Sequence, residues 1–148
     1  MRPRVIVLVG LPGSGKSTYV ARLGATAVSS DEVRRLLVDD AGDQTIQSRV
    51  FSTLRYLLRQ RLELRRPVTY VDATNLTPRE RRPYIVLSRL HDGEAEAVFF
   101  DVPLEVCRRR NRERNRVVPE AVMEHMAARL VPPAEAEGFS RITVVGGR

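Results

Sequence analysis

The chain almost lacks lysine: of its 25 basic residues, one is lysine, Lys16, and 24 are arginine. It has one cysteine, Cys107. A lone cysteine excludes an internal disulfide and is compatible with a reducing cytoplasm, the expected compartment. No apolar run approaches the roughly 20 residues of a membrane span, so no membrane partner is expected. The opening MRPRVIVLVG is charged and then apolar. Its apolar stretch is short and meets a glycine loop with no small-residue cleavage site, which argues against a signal peptide. No internal repeat, low-complexity tract or linker divides the 148 residues, so one domain over 1–148 is expected.

What is present starts with the position of that lysine. Where any cation suffices, this chain uses arginine, so Lys16 marks a place that needs a compact ammonium and not a planar fork. It lies in GLPGSGKST (10–18), which fits G-x-x-x-x-G-K-[ST]. Glycines let the backbone curl so that successive N–H groups and a helix N-terminus face phosphate oxygens. The expected donor-binding residues, with ATP as donor, are Pro12, Gly13, Ser14, Gly15, Lys16, Ser17 and Thr18. Lys16 would reach the β- and γ-phosphates, and Ser17 would ligate Mg²⁺. A guanine-reading N-K-x-D motif is excluded, because the only lysine is already in the loop. TYVDATN offers one acid at a strand end, Asp72, which either holds a metal-bound water or caps the next turn.

Apolar runs RVIVLVG (4–10), AVSS (27–30), PVTYVDATN (67–75), EAEAVFFDVP (94–103) and RITVVG (141–146) read as strands. Between them, helical spacing and start signals predict helices: from the loop to about Gly24, at SSDEVRRLL with Ser29 and Glu32 as a capping box, and over 43–66. Others are predicted from Thr77–Pro78, with Pro83 as a candidate kink, at PLEVCRRRNRERN, and over 119–130. PPAEAEG (132–138) reads as a loop. Alternating strands and helices predict an α/β fold: a three-layer α/β/α sandwich around a parallel sheet of about five strands.

A phosphate acceptor needs an acid to orient its hydroxyl and cations to neutralise the transferred group, both at the C-terminal ends of strands. Asp31 follows AVSS and fits the acid; the other reading is a helix-start acid favoured by the dipole. Arg34 lies one turn on, on the same face; it contacts substrate or is simply solvated. The run RRRNRERNR (108–116) holds six arginines and one glutamate. It is either a solvated face or an Arg-rich lid, with Arg110 and Arg114 inward and the others meeting water or nucleic acid. Cys107 reads as a small core residue, and His91 and His125 carry no chemistry. The net charge of +7 and a pI near 10.6 reflect coding bias or a polyanionic partner.

Together GLPGSGKST, VSSDEVRRLL, DDAGDQT, TYVDATN and VCRRRNRERNR resemble the 5′-OH polynucleotide kinases of nucleic-acid repair, above all the kinase module of bacterial polynucleotide kinase-phosphatases. The likeness runs from about residue 4 to 146 and includes the EGF before the last strand. The resemblance implies a P-loop kinase domain with Asp31 as general base toward a 5′-OH and Arg34 gripping a phosphate of the acceptor strand. Arg110 and Arg114 would stabilise the transferred phosphoryl. Asp72 matches the acid of the family's strand end. The run is one residue shorter than the family's, and Arg116 is left unassigned. The implied partners are 5′-OH ends of RNA or DNA, with covalent or non-covalent association to other end-repair modules; an autonomous kinase and a piece of a larger repair protein both stay open.

Two other functions compete. One is a small-metabolite P-loop kinase acting on a sugar, an adenylylsulfate or, like zeta toxins, a sugar nucleotide. The basic pI counts mildly against it, since a small substrate needs no broad basic surface. The other is a nucleotide-dependent binding module without turnover, in which Asp31 would be dispensable.

Overall fold

The computed structural model describes residues 1–114 and 118–146. Five strands form one parallel sheet in the order β2-β3-β1-β4-β5: β1 Arg4–Val9, β2 Ala27–Ser29, β3 Val68–Asp72, β4 Glu94–Asp101 and β5 Arg141–Gly146. The helices are α1 Lys16–Leu23, α2 Ser30–Val38, α3 Gln47–Glu63, α4 Pro78–Leu90, α5 Leu104–Arg112 and α6 Glu120–Arg129. This is the predicted three-layer α/β/α sandwich.

Strand β1 explains why both faces are covered. RVIVLV is apolar at nearly every position and buried from Val5 to Val9, so it needs cover on each side. On one face Val5, Val7 and Val9 pack with Leu54, Leu58 and Leu62 of α3 and with Tyr84 and Ile85 of α4. On the other, Ile6 and Leu8 pack with Val20 of α1 and with Val98 and Phe100 of β4. A third cluster, Leu11, Leu76, Cys107, Val118 and Met123, lies under the phosphate loop and joins it to α5 and α6. Cys107 is fully buried there, as expected of a core residue.

Several boundaries differ from expectation for local reasons. Helix α3 covers Gln47–Glu63, not 43–66. Asp43 accepts hydrogen bonds from the Thr45 N–H and hydroxyl, and Asp40 accepts from the Gly42 N–H, so this acid-rich stretch folds into turns instead. At the other end Arg65 adopts φ 55, which stops the helix. At α2, Ser29 caps the Glu32 N–H as predicted, but the Glu32 carboxylate turns to Arg35, so only half of the capping box forms. Helix α4 continues through Pro83. The loop at 132–138 contains a 3₁₀ turn, Glu135–Glu137.

No helix among the described residues is long and apolar enough to cross a membrane.

Candidate active site

The C-terminal ends of β1, β2 and β3 converge on one cleft of about 1040 Å³. That volume is at the upper end for small-molecule sites. Its floor is the phosphate loop, which joins β1 to α1. Gly13 sits at φ 83, and a Cβ there would come within 2.8 Å of the Cys107 carbonyl. Gly15 sits at φ 105 as the N-cap of α1 and offers no side-chain cap. The N–H groups of the first turn of α1 are therefore left for a ligand.

Lys16 is buried, and its Nζ donates to the carbonyls of Gly10 and Leu11, each at 2.9 Å. Burial pushes its pKa down to about 8, against the opposing pull of the Asp72 and Asp31 carboxylates. The chain thus holds its one ammonium against the loop's own oxygens, ready for a stronger anionic partner. Ser17 Oγ donates to Asp72 Oδ2 at 2.8 Å. Asp72 ends β3, and residues 73–75 then turn over the cleft, held by Asn75 Nδ2 donating to the Leu8 carbonyl at 2.7 Å.

The opposite wall comes from α2 and α3. Asp31 and Arg34 share a face, as their spacing predicts, and Arg34 Nη1 donates to Asp31 Oδ1 at 2.9 Å. The Asp31 carboxylate is half-exposed to the cleft, and Arg114 Nη2 lies 4.0 Å from its other oxygen. Arg34 is only 3% exposed, which removes the solvated reading. It also donates to the Ala41 carbonyl at 3.3 Å and to Gln47 Oε1 of α3, while its Nε is buried without a hydrogen-bond partner.

The arginine run divides by position. Arg110 Nη1 donates to the Gly13 carbonyl at 3.2 Å and lies over the phosphate loop, whereas Arg114 lies beside Asp31. Both line the cleft. Arg108 does not face water or nucleic acid as expected: it pairs with Glu105, Glu120 and Glu124, and Arg112 approaches Glu120 at 3.6 Å. The pairs to Glu120 and Glu124 lace α5 to α6, while the one to Glu105 lies within α5. Buried Asn111 of α5 exchanges two hydrogen bonds with Val118, just before α6. Arg116 lies outside the described residues.

Some cleft residues carried no readable signal. Gln47, Phe51, Val122 and Met126 line it from α3 and α6. Nothing local distinguishes them from ordinary helix positions; only the folded arrangement places them there.

With this geometry, the chain belongs to the AAA_33 family of AAA domains, which matches residues 5–133. Its fold is the α/β fold of P-loop kinases. It is 24% identical over 136 residues to an L-seryl-tRNA(Sec) kinase of Methanococcus maripaludis, covering 87% of this chain and 53% of that protein. The chain therefore spans about half the length of that curated relative. Among solved structures it matches a chain of the Pnkp1/Rnl/Hen1 RNA repair complex with a TM-score of 0.72 and 24% identity, over 87% of this chain and 44% of the other. The Mycobacterium tuberculosis APS kinase CysC, solved with AMPPNP and APS, matches with a TM-score of 0.60 and 18% identity, over 97% of this chain and 88% of the other.

Proposed function

We infer that the protein transfers the γ-phosphate of ATP to the 5′-hydroxyl end of an RNA or DNA strand, as an end-healing step of nucleic-acid repair in the cytoplasm, alone or beside other repair modules. One observation carries this reading: a half-exposed carboxylate, Asp31, is flanked by two arginines, Arg34 and Arg114, across the cleft from the phosphate loop. A neutral sugar would need no buried arginine on the acceptor side. An acceptor that carries its own phosphate beside a hydroxyl uses both groups.

The chemistry follows from the residues. Asp31 accepts the proton of the 5′-hydroxyl as that oxygen attacks the γ-phosphorus and the bond to the β-phosphate oxygen breaks, releasing ADP. Lys16 leaves its carbonyl partners for the β- and γ-phosphate oxygens, and the N–H groups of α1 cradle the rest. Arg110 neutralises charge from the donor side and Arg114 from the acceptor side. Arg34 holds the acceptor's phosphate while its contacts to Ala41 and Gln47 keep it in place.

The site also fits Mg²⁺. Ser17 Oγ and Asp72 Oδ2 already touch, and this cation needs few protein oxygens because it keeps waters and binds phosphate. Ser17 would hold the ion directly and Asp72 through water; when bound, the ion offsets the charge of the donor phosphates.

The test is transfer of labelled γ-phosphate to a 5′-OH oligonucleotide, run beside sugars, adenylylsulfate and sugar nucleotides. Transfer to the oligonucleotide, lost by about 10²–10⁴ in Asp31→Ala, supports the reading. Transfer only to a small metabolite overturns it, and ATP binding without turnover on any acceptor favours a binding module.

A further inference from the structure

The acceptor wall continues beyond the cleft along α3. Gln47, which accepts from Arg34, begins a row of residues spaced by four: Gln47, Phe51, Arg55 and Arg59. Successive residues so spaced are neighbours, each about 6 Å further along the axis and about 40° further round it, so the row winds slowly about the helix as it leaves the cleft. Gln47 and Phe51 line the cleft, and Arg55 and Arg59 follow, half-buried, one and two turns outside it.

The charge on this helix is one-sided. Helix α3 carries Arg49, Arg55, Arg59 and Arg61 against one acid, Glu63, at its last position. Arg61 is committed to the Thr69 hydroxyl and the Val68 carbonyl. Arg49, Arg55 and Arg59 form no ion pair among the described residues, although arginines elsewhere, such as Arg4, Arg35, Arg81 and Arg129, do. Arg55 lies at the α3–α4 seam: burial pushes the Tyr84 phenol up to about 12, and the Arg55 charge pulls the other way. Arg59 lies 5.5 Å from the ring centroid of Tyr56, an exposed aromatic on the next row.

We propose that Arg55 and Arg59 form a track for the phosphodiester backbone of the acceptor strand, taking the phosphates that follow the one held at Arg34. The proposal rests on the polynucleotide reading of the site and adds what that reading leaves open, namely that the acceptor is a strand of several nucleotides. Phosphate contacts of this kind carry no sequence preference and weaken with salt. The Tyr56 ring offers a stacking face that any base can use.

The experiment measures KM, at saturating ATP, for a 3′-phosphorylated nucleoside and for 5′-OH strands of two, four and eight nucleotides. The proteins are wild type, Arg55→Ala/Arg59→Ala, and Arg66→Ala as a charge control. Arg66 precedes β3 and lies at the opposite end of the sheet from the cleft. In wild type, KM should fall with length and level off near about four nucleotides. The double variant should raise KM for the octamer about three- to tenfold and leave the mononucleotide unchanged. The slope of log KM against log salt should drop by about 1.4, the single-strand value for two phosphate contacts. A KM independent of length in wild type, or an equal rise from Arg66→Ala, overturns the track. Octamer binding by fluorescence anisotropy separates this failure from that of the kinase reading. Binding that depends on Arg55 and Arg59 without phosphorylation keeps the track and removes the kinase; phosphorylation with a length-independent KM does the reverse.

Discussion

Glu137→Ala should cost far more stability than an exposed loop residue would. Arg81 has no exposed surface, and its guanidinium makes four hydrogen bonds: Nε and Nη2 to the two Glu137 carboxylate oxygens, both at 2.8 Å, and Nη1 to the carbonyls of Asn75 and Val131, at 2.9 and 3.0 Å. The Glu137 side chain is only 12% exposed. Truncating it leaves a buried cation with two neutral acceptors, and breaking such a pair from one side costs about 3–5 kcal/mol. The variant also loses the bond from the Ala134 N–H to Glu137 Oε2. A domain's whole stability is about 5–15 kcal/mol, so urea unfolding followed by circular dichroism should show a large drop in midpoint at unchanged slope. Glu137→Gln keeps the shape and one good acceptor and should cost about 1.5–3 kcal/mol. Arg81→Met with Glu137→Leu removes both charges and should cost less than Glu137→Ala alone. A loss below about 1 kcal/mol in Glu137→Ala would mean that the pair behaves like an exposed ion pair, and the reasoning would fail. The link to the site is direct, because Arg81 pins Asn75, and Asn75 holds the turn after Asp72 against β1.

Lys16→Ala should lower transfer about 10²–10³-fold, and Lys16→Arg should also be poor, since near-normal activity there would refute the need for a compact ammonium. Because burial lowers the Lys16 pKa to about 8, kcat/KM for ATP should fall as pH rises through about 8, where the free protein loses the ammonium. The stability sign is opposite: between about 8 and 10.5 the unfolded chain binds the proton that the folded one has released. Lys16's contribution to stability therefore rises with pH across that window, and Lys16→Met should flatten the rise. Arg110→Ala and Arg114→Ala should slow turnover by up to roughly 10³-fold with smaller effects on acceptor KM. Arg108→Ala should instead lower the melting temperature by loosening α5 from α6, with little change in the salt dependence of acceptor binding; equal kinetic effects at all three arginines would contradict this division.

The parts of the molecule legible in the sequence are those set by local spacing. Gly10, Gly15, Lys16 and Ser17 announce the phosphate loop because its function needs them at fixed offsets. Asp31 and Arg34 are three apart, so one helical turn places them together. The helix layers on both faces of the sheet follow from β1, and from the Val98–Phe100 half of β4, being apolar on both faces. What the sequence hides are partnerships between distant segments. Arg81 looks like any surface arginine until Glu137, 56 residues on, closes over it. Arg108 reads as part of a solvated run until α6 brings Glu120 and Glu124 beside it. Gln47 is one polar residue in an amphipathic helix, and only the packing of α3 on α2 makes it the support of Arg34. Helix α3 starts later than its apolar spacing predicts because Asp40 and Asp43 prefer their own turns.

The central claim is that the cleft takes a hydroxyl and a phosphate together, at Asp31 and Arg34. Its most direct test is phosphorylation of a nucleoside 3′-monophosphate and of the same nucleoside without the phosphate, in wild type and in Arg34→Ala. Wild type should use the 3′-phosphorylated form far better, by about 10–100-fold in kcat/KM for one buried charge-assisted contact. Arg34→Ala should raise KM for that acceptor and bring the two acceptors close to parity. Equal use of both by wild type, or no use of either alongside turnover of a sugar or sulfonucleotide, would contradict the account.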